Sequence, residues 1–209
     1  MPKYTDFTRR HLLLAGAALG LTASKATALV LTPTQTRGPF YPLALPLDRD
    51  NDLVTVAGQG LAKGEIVNVA GQVLDTQGQP VPGALVEIWQ CDVFGRYHHP
   101  GDRRNVPLDP NFQGYGQYTT GTDGGYRFRT IKPVPYPGRT PHIHFQVSGS
   151  GITTLVTQMY LADAPENDKD FIYKRIRDAQ ARASVTVDFA AGSDGLPLGR
   201  FDIVLQKTG

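Results

Sequence analysis

Glycine and proline interrupt this chain at short intervals from Leu29 onward, and that punctuation constrains the fold more than any other feature. Helices need uninterrupted runs of good formers, whereas short strands joined by tight turns make use of both residues. Between the breaks, apolar and polar side chains alternate over much of 65–74, 84–90, 125–131, 142–147, 153–160, 184–189 and 200–206. About seven such strands predict an all-β fold, an antiparallel β-sandwich with long functional loops and at most one or two short helices. The helix is expected over 167–181, where Phe171, Ile172, Ile176 and Ala179 fall near one face. The span 91–122 is too long for an ordinary connection and reads as a functional loop, with Asp123-Gly124-Gly125 as a turn between strands. A chain of 209 residues with 40% hydrophobic content buries one core, so a single domain over 29–209 is expected to follow a leader over 1–28.

The leader reads Thr8-Arg9-Arg10-His11-Leu12-Leu13, then an apolar run to Ala23, then Ala26-Thr27-Ala28, a small-x-small cleavage pattern. This order resembles a twin-arginine export signal, a type that carries folded and often cofactor-loaded proteins, and it sets an expectation of export to the periplasm. The run from Leu12 to Ala23 falls short of the roughly 20 residues that span a bilayer, so no stable membrane span is expected. The leader holds Lys3, Arg9, Arg10 and Lys25 against Asp6, a net +3 within an overall +2, which leaves −1 for the rest of the chain. With no cationic excess to neutralise phosphates, overall charge gives no case for a nucleic-acid partner. Cys91 is the single cysteine, so no internal disulfide can form, and it reads as a small buried hydrophobe.

The most informative residues lie in Tyr136-Pro137-Gly138-Arg139-Thr140-Pro141-His142-Ile143-His144-Phe145. Side chains alternate along an extended strand, so His142 and His144 share one face while Ile143, Phe145 and Val147 point to the other. Two imidazoles over a core-anchored strand have the geometry of paired metal ligands. Carboxylates such as Asp92 and Asp102 stand in no familiar ligand spacing, so the third donor of a ferrous two-histidine site is not evident. Tyrosine becomes the partner of interest, Tyr97 standing beside His98 and His99. A phenol, with an unperturbed pKa of about 10, binds as phenolate only where a strongly Lewis-acidic ion offsets deprotonation, a requirement ferric iron meets better than zinc. A copper site on the same histidine pair is a further reading, given copper's affinity for nitrogen and oxygen donors.

Several ordered motifs make the sequence recognisable. They are Trp89-Gln90-Cys91-Asp92-Val93-Phe94-Gly95-Arg96-Tyr97-His98-His99, Pro107-Leu108-Asp109-Pro110-Asn111-Phe112, Phe128-Arg129-Thr130-Ile131-Lys132-Pro133 and Pro141-His142-Ile143-His144-Phe145, with Gln35-Thr36-Arg37-Gly38-Pro39-Phe40-Tyr41 upstream and Thr157-Gln158-Met159-Tyr160 downstream. Together they resemble the intradiol ring-cleavage dioxygenases, above all the iron-bearing chain of protocatechuate-type members. The resemblance implies that Tyr97, Tyr136, His142 and His144 hold Fe(III), with solvent hydroxide as a fifth ligand and Tyr136 as the ligand that a catechol dianion displaces. It implies that a small aromatic diol and O2 are converted to a cis,cis-muconate-type diacid. It further implies that Arg139 stabilises negative charge developing on the ring and that Gln158 assists by hydrogen bonding.

The segment between Tyr136 and Arg139 is only Pro137-Gly138, shorter than in protocatechuate enzymes, and the span 28–65 is too short for the helical dimerisation region of catechol enzymes. The resemblance therefore names no single diol. Arg37, Arg96, Arg103 and Arg104 are candidate cations for a carboxylated one. A homo-oligomer, or a homologous partner subunit that completes the pocket, belongs to the same expectation. Trp89 is expected in the core, His98 and His99 as polar neighbours of Tyr97, and Tyr41, Tyr115 and Tyr118 as lining or packing residues. The contrasting reading is a non-catalytic transthyretin-like binding module, because Gly71-Gln72-Val73-Leu74-Asp75 and Gly78-Gln79-Pro80-Val81-Pro82-Gly83-Ala84 also suit such domains.

Overall fold

A computed structural model describes residues 29–208, and the expected leader over 1–28 lies outside the described residues. The strands are β1 (Ile66–Asp75), β2 (Leu85–Trp89), β3 (Tyr115–Thr119), β4 (Gly125–Ile131), β5 (His142–Ser148), β6 (Leu155–Leu161), β7 (Thr186–Val187), β8 (Phe189–Ala191), β9 (Pro197–Arg200) and β10 (Ile203–Leu205). A 3-10 turn (Pro165–Asp168) and two short helices, α1 (Phe171–Lys174) and α2 (Ala179–Ser184), lie between β6 and β7. Among the described residues no helix is long and apolar enough to cross a membrane.

The expected sandwich is present. In the first sheet β1 pairs antiparallel with β4 along its length, and parallel with β9 and then β10 on its other edge. The second sheet runs β3-β2-β5-β6-β7, antiparallel except at β6–β7. The pairing is thus mixed, because the chain returns through the helical segment and enters β7, β9 and β10 from the same end as the strands they flank. Val69, Val73 and Phe128 of one sheet meet Val86, Ile88, Ile143, Phe145 and Val147 of the other in a fully buried core. Phe145 packs edge-on to Phe201 with ring centroids 4.9 Å apart. Gly71 interrupts the inward valine series of β1 for a specific reason: a Cβ there would lie 1.9 Å from the Phe201 carbonyl oxygen.

Three sequence expectations change in detail. The 91–122 loop contains β3, a strand hidden by Gly116, where a Cβ would sit 2.5 Å from Leu53 Cδ1. The single helix over 167–181 is broken in two because Asp170 and Asp178 each cap a helix start with a side-chain carboxylate. The 184–189 strand divides at Asp188 into β7 and β8, and β9 was not anticipated. The remaining loop, 91–114, is held by two buried carboxylates. Asp92 accepts from the amides of Phe94, Arg96 and Asp109, and Asp109 accepts from those of Lys63 and Asn111.

Candidate metal centre and active site

The alternation of β5 sends Ile143, Phe145 and Val147 into the core and leaves His142 and His144 on the outer face of the second sheet. Register then decides their neighbours: His144 lies between Trp89 of β2 and Gln158 of β6, and His142 faces Tyr160. The Trp89 indole stacks on His144 at 4.8 Å and 5°. His142 Nδ1 lies 2.6 Å from the Thr140 carbonyl, so it carries the proton and donates it, which turns the Nε2 lone pair toward the Tyr97 hydroxyl 3.4 Å away.

Tyr97 enters from the 91–114 loop, its amide donating to Asp102 at 2.8 Å and its ring stacked on Phe40 at 4.7 Å. Tyr136 begins a tight turn closed by the Arg139 amide donating to the Tyr136 carbonyl at 2.8 Å. Its ring centroid lies 5.9 Å from that of Tyr97 and 5.6 Å from that of His142. The 91–114 loop and the 136–144 stretch thus bring the four expected ligands, Tyr97, Tyr136, His142 and His144, to one place. Gly38 closes the wall at φ +69°, where a Cβ would come within 3.3 Å of His144 Cε1.

Burial sets the electrostatics of these rings. It depresses His142 to about 3, with the Arg139 charge adding to the effect, and depresses His144 well below the ordinary histidine value. It raises the Tyr97 phenol far above its usual range and raises Tyr136 too, partly offset there by the Arg139 guanidinium. Four neutral donors remain, three of them buried and Tyr136 half-buried, and His144 Nδ1 has no hydrogen-bond partner. Among the described residues no group of three or more His, Cys, Asp or Glu is placed to hold a metal ion. Any cation here must therefore take phenols as well as imidazoles, and must be acidic enough to displace their protons. The donor set fits a ferric ion and suits zinc or a two-histidine, one-carboxylate ferrous site poorly.

Arg139 stands beside these rings, its Nε donating to Asp170 Oδ2 at 2.9 Å and a terminal nitrogen donating to Gln158 Oε1. Both carboxamide ends of Gln158 are engaged, since its Nε2 donates to the Thr36 carbonyl at 3.0 Å. Asp170 and Asn167, not singled out in the sequence, complete the support. Asp170 also accepts from the Thr140 amide, and Thr140 Oγ1 donates to Asn167. The available signal was an aspartate just before an apolar helical pair, the mark of an N-cap. Glu87, equally unremarked, lies buried on the same face and accepts from Tyr41, Tyr115 and Gln146, each at 2.7 Å.

Other expected residues fall in different places. His98 is exposed, and His99 Nδ1 accepts from the Gly101 amide instead of entering the site. Tyr118 packs on Phe128, on the core side. Arg37 lies over the Tyr41 ring at 3.4 Å, and Arg96 donates to the Val106 carbonyl. Arg104, paired with Asp102, lies 4.6 Å over the Tyr136 ring. With Phe40, Arg103, Tyr136 and Pro137 it lines a cavity of about 380 Å³. A cavity of about 230 Å³ lined by Tyr136, Arg139, Glu166 and Lys169 also opens at Tyr136. A cavity of about 510 Å³ belongs to the first sheet around Asn68, Arg127, Arg129 and Asp194 and touches none of these rings.

The chain is 42% identical over 172 residues to the protocatechuate 3,4-dioxygenase beta chain of Burkholderia cepacia, covering 77% of this chain and 72% of that one. It is 36% identical over 146 residues to hydroxyquinol 1,2-dioxygenase of Rhizobium sp. strain MTP-10005, covering 56% of this chain and about half, 48%, of that relative. Among solved structures, the dioxygenase domain of a dioxygenase carbohydrate-binding fusion from Streptomyces sp. SirexAA-E superposes with a TM-score of 0.67 at 30% identity, covering 85% of this chain and 99% of that domain. With a family model described as dioxygenase matching residues 36–207, the chain belongs to the intradiol ring-cleavage dioxygenases, a family of enzymes.

Proposed function

We propose that this enzyme is a non-haem Fe(III) dioxygenase that inserts both atoms of O2 into a catechol-type aromatic and opens the ring between the hydroxylated carbons to a cis,cis-muconate-type diacid. The observation that carries the proposal is the convergence of two phenols and two imidazoles, Tyr97 and both histidines buried and Tyr136 half-buried, with no carboxylate among them. A bound ferric ion would supply Lewis acidity, taking the diol as a dianion and making its ring electron-rich toward O2. Tyr97, His142 and His144 would hold it from the sheet face. Tyr136, the ligand with cavities at its ring, would leave its place to a diol oxygen and accept that oxygen's proton, while a solvent hydroxide would take the second proton. Arg139, fixed by Asp170 and Gln158, would face the negative charge that grows on the ring.

The relatives act, by their names, on protocatechuate and hydroxyquinol, so an ortho-diol is the substrate class we propose. The designation of one relative as a beta chain supports an assembly of more than one chain, and export by the twin-arginine leader completes the reading. The test is a visible spectrum of anaerobic protein with metal content measured on the same sample, before and after catechol, protocatechuate or hydroxyquinol. A phenolate-to-iron band that one diol shifts is the expected result. A colourless protein that stays unchanged after iron reconstitution would overturn the proposal, and copper as the retained metal would replace it.

A further inference from the structure

Tyr160 has one hydroxyl proton and two carboxamide oxygens within reach. Its oxygen lies 2.5 Å from Gln35 Oε1 and 3.2 Å from Gln158 Oε1. The shorter contact takes the proton. Gln158 Oε1 is thereby left to accept from the Arg139 guanidinium. Gln35 is itself fixed on β6: its amide donates to the Val156 carbonyl at 2.7 Å, and its Nε2 donates to Thr157 Oγ1 at 3.1 Å and to the Gln158 carbonyl at 3.2 Å. The next residue, Thr36, holds the far end of the Gln158 carboxamide through its carbonyl. Segment 35–41 continues over the site as Gly38 against His144, Phe40 on Tyr97 and Tyr41 on Glu87.

We propose that Gln35 is a positioning residue for the reaction: by taking the Tyr160 proton it reserves Gln158 Oε1 for Arg139, and so fixes the plane of the guanidinium over the site. The proposal rests on the reading of Arg139 as the group that faces ring charge. Without the Gln35 oxygen, the Tyr160 hydroxyl gives its proton to Gln158 Oε1, whose two lone pairs then serve Tyr160 and Arg139 together, and the bond to Arg139 lengthens and weakens. Asp170 still holds Nε, but a guanidinium held at one edge rotates about that bond.

The signature is a coupling that plain loss of packing does not give. In iron-loaded enzyme with catechol, Gln35→Ala lowers kcat roughly tenfold with KM changed less than about twofold, the scale on which outer hydrogen-bond partners act. In a Tyr160→Phe background, with no competing hydroxyl, the same substitution costs less than about twofold. In metal-free protein, nitrogen-15 NMR reads the solvent exchange of the Arg139 terminal guanidinium protons. Exchange quickens roughly tenfold in Gln35→Ala and returns to the parental rate in the double variant. Equal losses in the two backgrounds, or unaltered Arg139 exchange, would overturn the proposal. An inactive but iron-replete wild type would instead sink the functional reading, and the exchange measurement would still decide the coupling. Should Gln35→Ala fail to fold, Gln35→Met removes the acceptor at similar length, and the same comparison applies.

Discussion

The outer faces of the two sheets are built from polar residues, yet they treat them in opposite ways. On the first sheet, Arg129 pairs with Asp52 at 3.0 Å and Asn68 donates to Asp194 at 2.8 Å, around a cavity of about 510 Å³ and in contact with solvent. On the second, His142, His144, Glu87 and Gln158 are each less than 5% exposed, beneath segment 35–41 and the 91–114 loop. Polar groups in water need no justification, whereas burying them costs free energy that only hydrogen bonds or a bound ion offset. The difference teaches that cost, rather than cavity size, marks the functional face. The larger cavity is a groove between satisfied surface groups.

The sharpest way to break this contrast is to remove a ring donor. Tyr97→Phe deletes one oxygen without changing volume, and His142→Ala deletes an imidazole. Either should cost metal retention by more than the roughly 10- to 100-fold typical of outer partners, read as iron per chain and loss of the visible band. Asp170→Ala comes next, because it strands the Arg139 charge and uncaps α1. A loss of about 3 to 5 kcal/mol in urea unfolding is expected, and a loss under about 1 kcal/mol would place the pair among surface bridges.

Acidity tests the buried face as a whole in metal-free protein. Both histidines have folded pKa values depressed by burial, His142 to about 3, against about 6.5 in the unfolded chain. Below pH 6.5 the unfolded chain binds protons that the folded one does not, so stability falls as pH drops toward 3, by up to about 2.7 kcal/mol per pH unit while both titrate. A flat profile across that window in denaturant titrations would contradict their burial. At the other extreme, Arg129→Ala on the first sheet should move stability by within about 0.5 kcal/mol and leave iron content unchanged.

Much of the site face was legible because a strand has a period of two. His142 and His144 could be assigned to one side of β5 and Phe145 to the other before any partner was known. Tyr97, Tyr136 and Arg139 came from motif resemblance, and the fold brings all three to those histidines. Periodicity carried no information about β3, whose Gly116 exists to admit Leu53, or about the helix broken at Asp170 and Asp178, because both depend on contacts across the fold. The supports of Arg139 escaped for the same reason. Asp170 lies 31 positions from Arg139 and Gln35 lies 123 from Gln158, separations that no local pattern encodes.

The short turn at Tyr136 has a kinetic consequence. Its backbone is bonded to itself between Tyr136 and Arg139, and its far end is anchored through the Arg139 side chain to Asp170. The main chain has no slack, while space lies open at the Tyr136 ring. Tyr136 can leave its position by turning about its own side-chain bonds, with the loop standing still. If a diol displaces Tyr136 as proposed, opening of this site would be timed by rotamer exchange, a faster class of motion than the lid and loop closures that gate many enzymes.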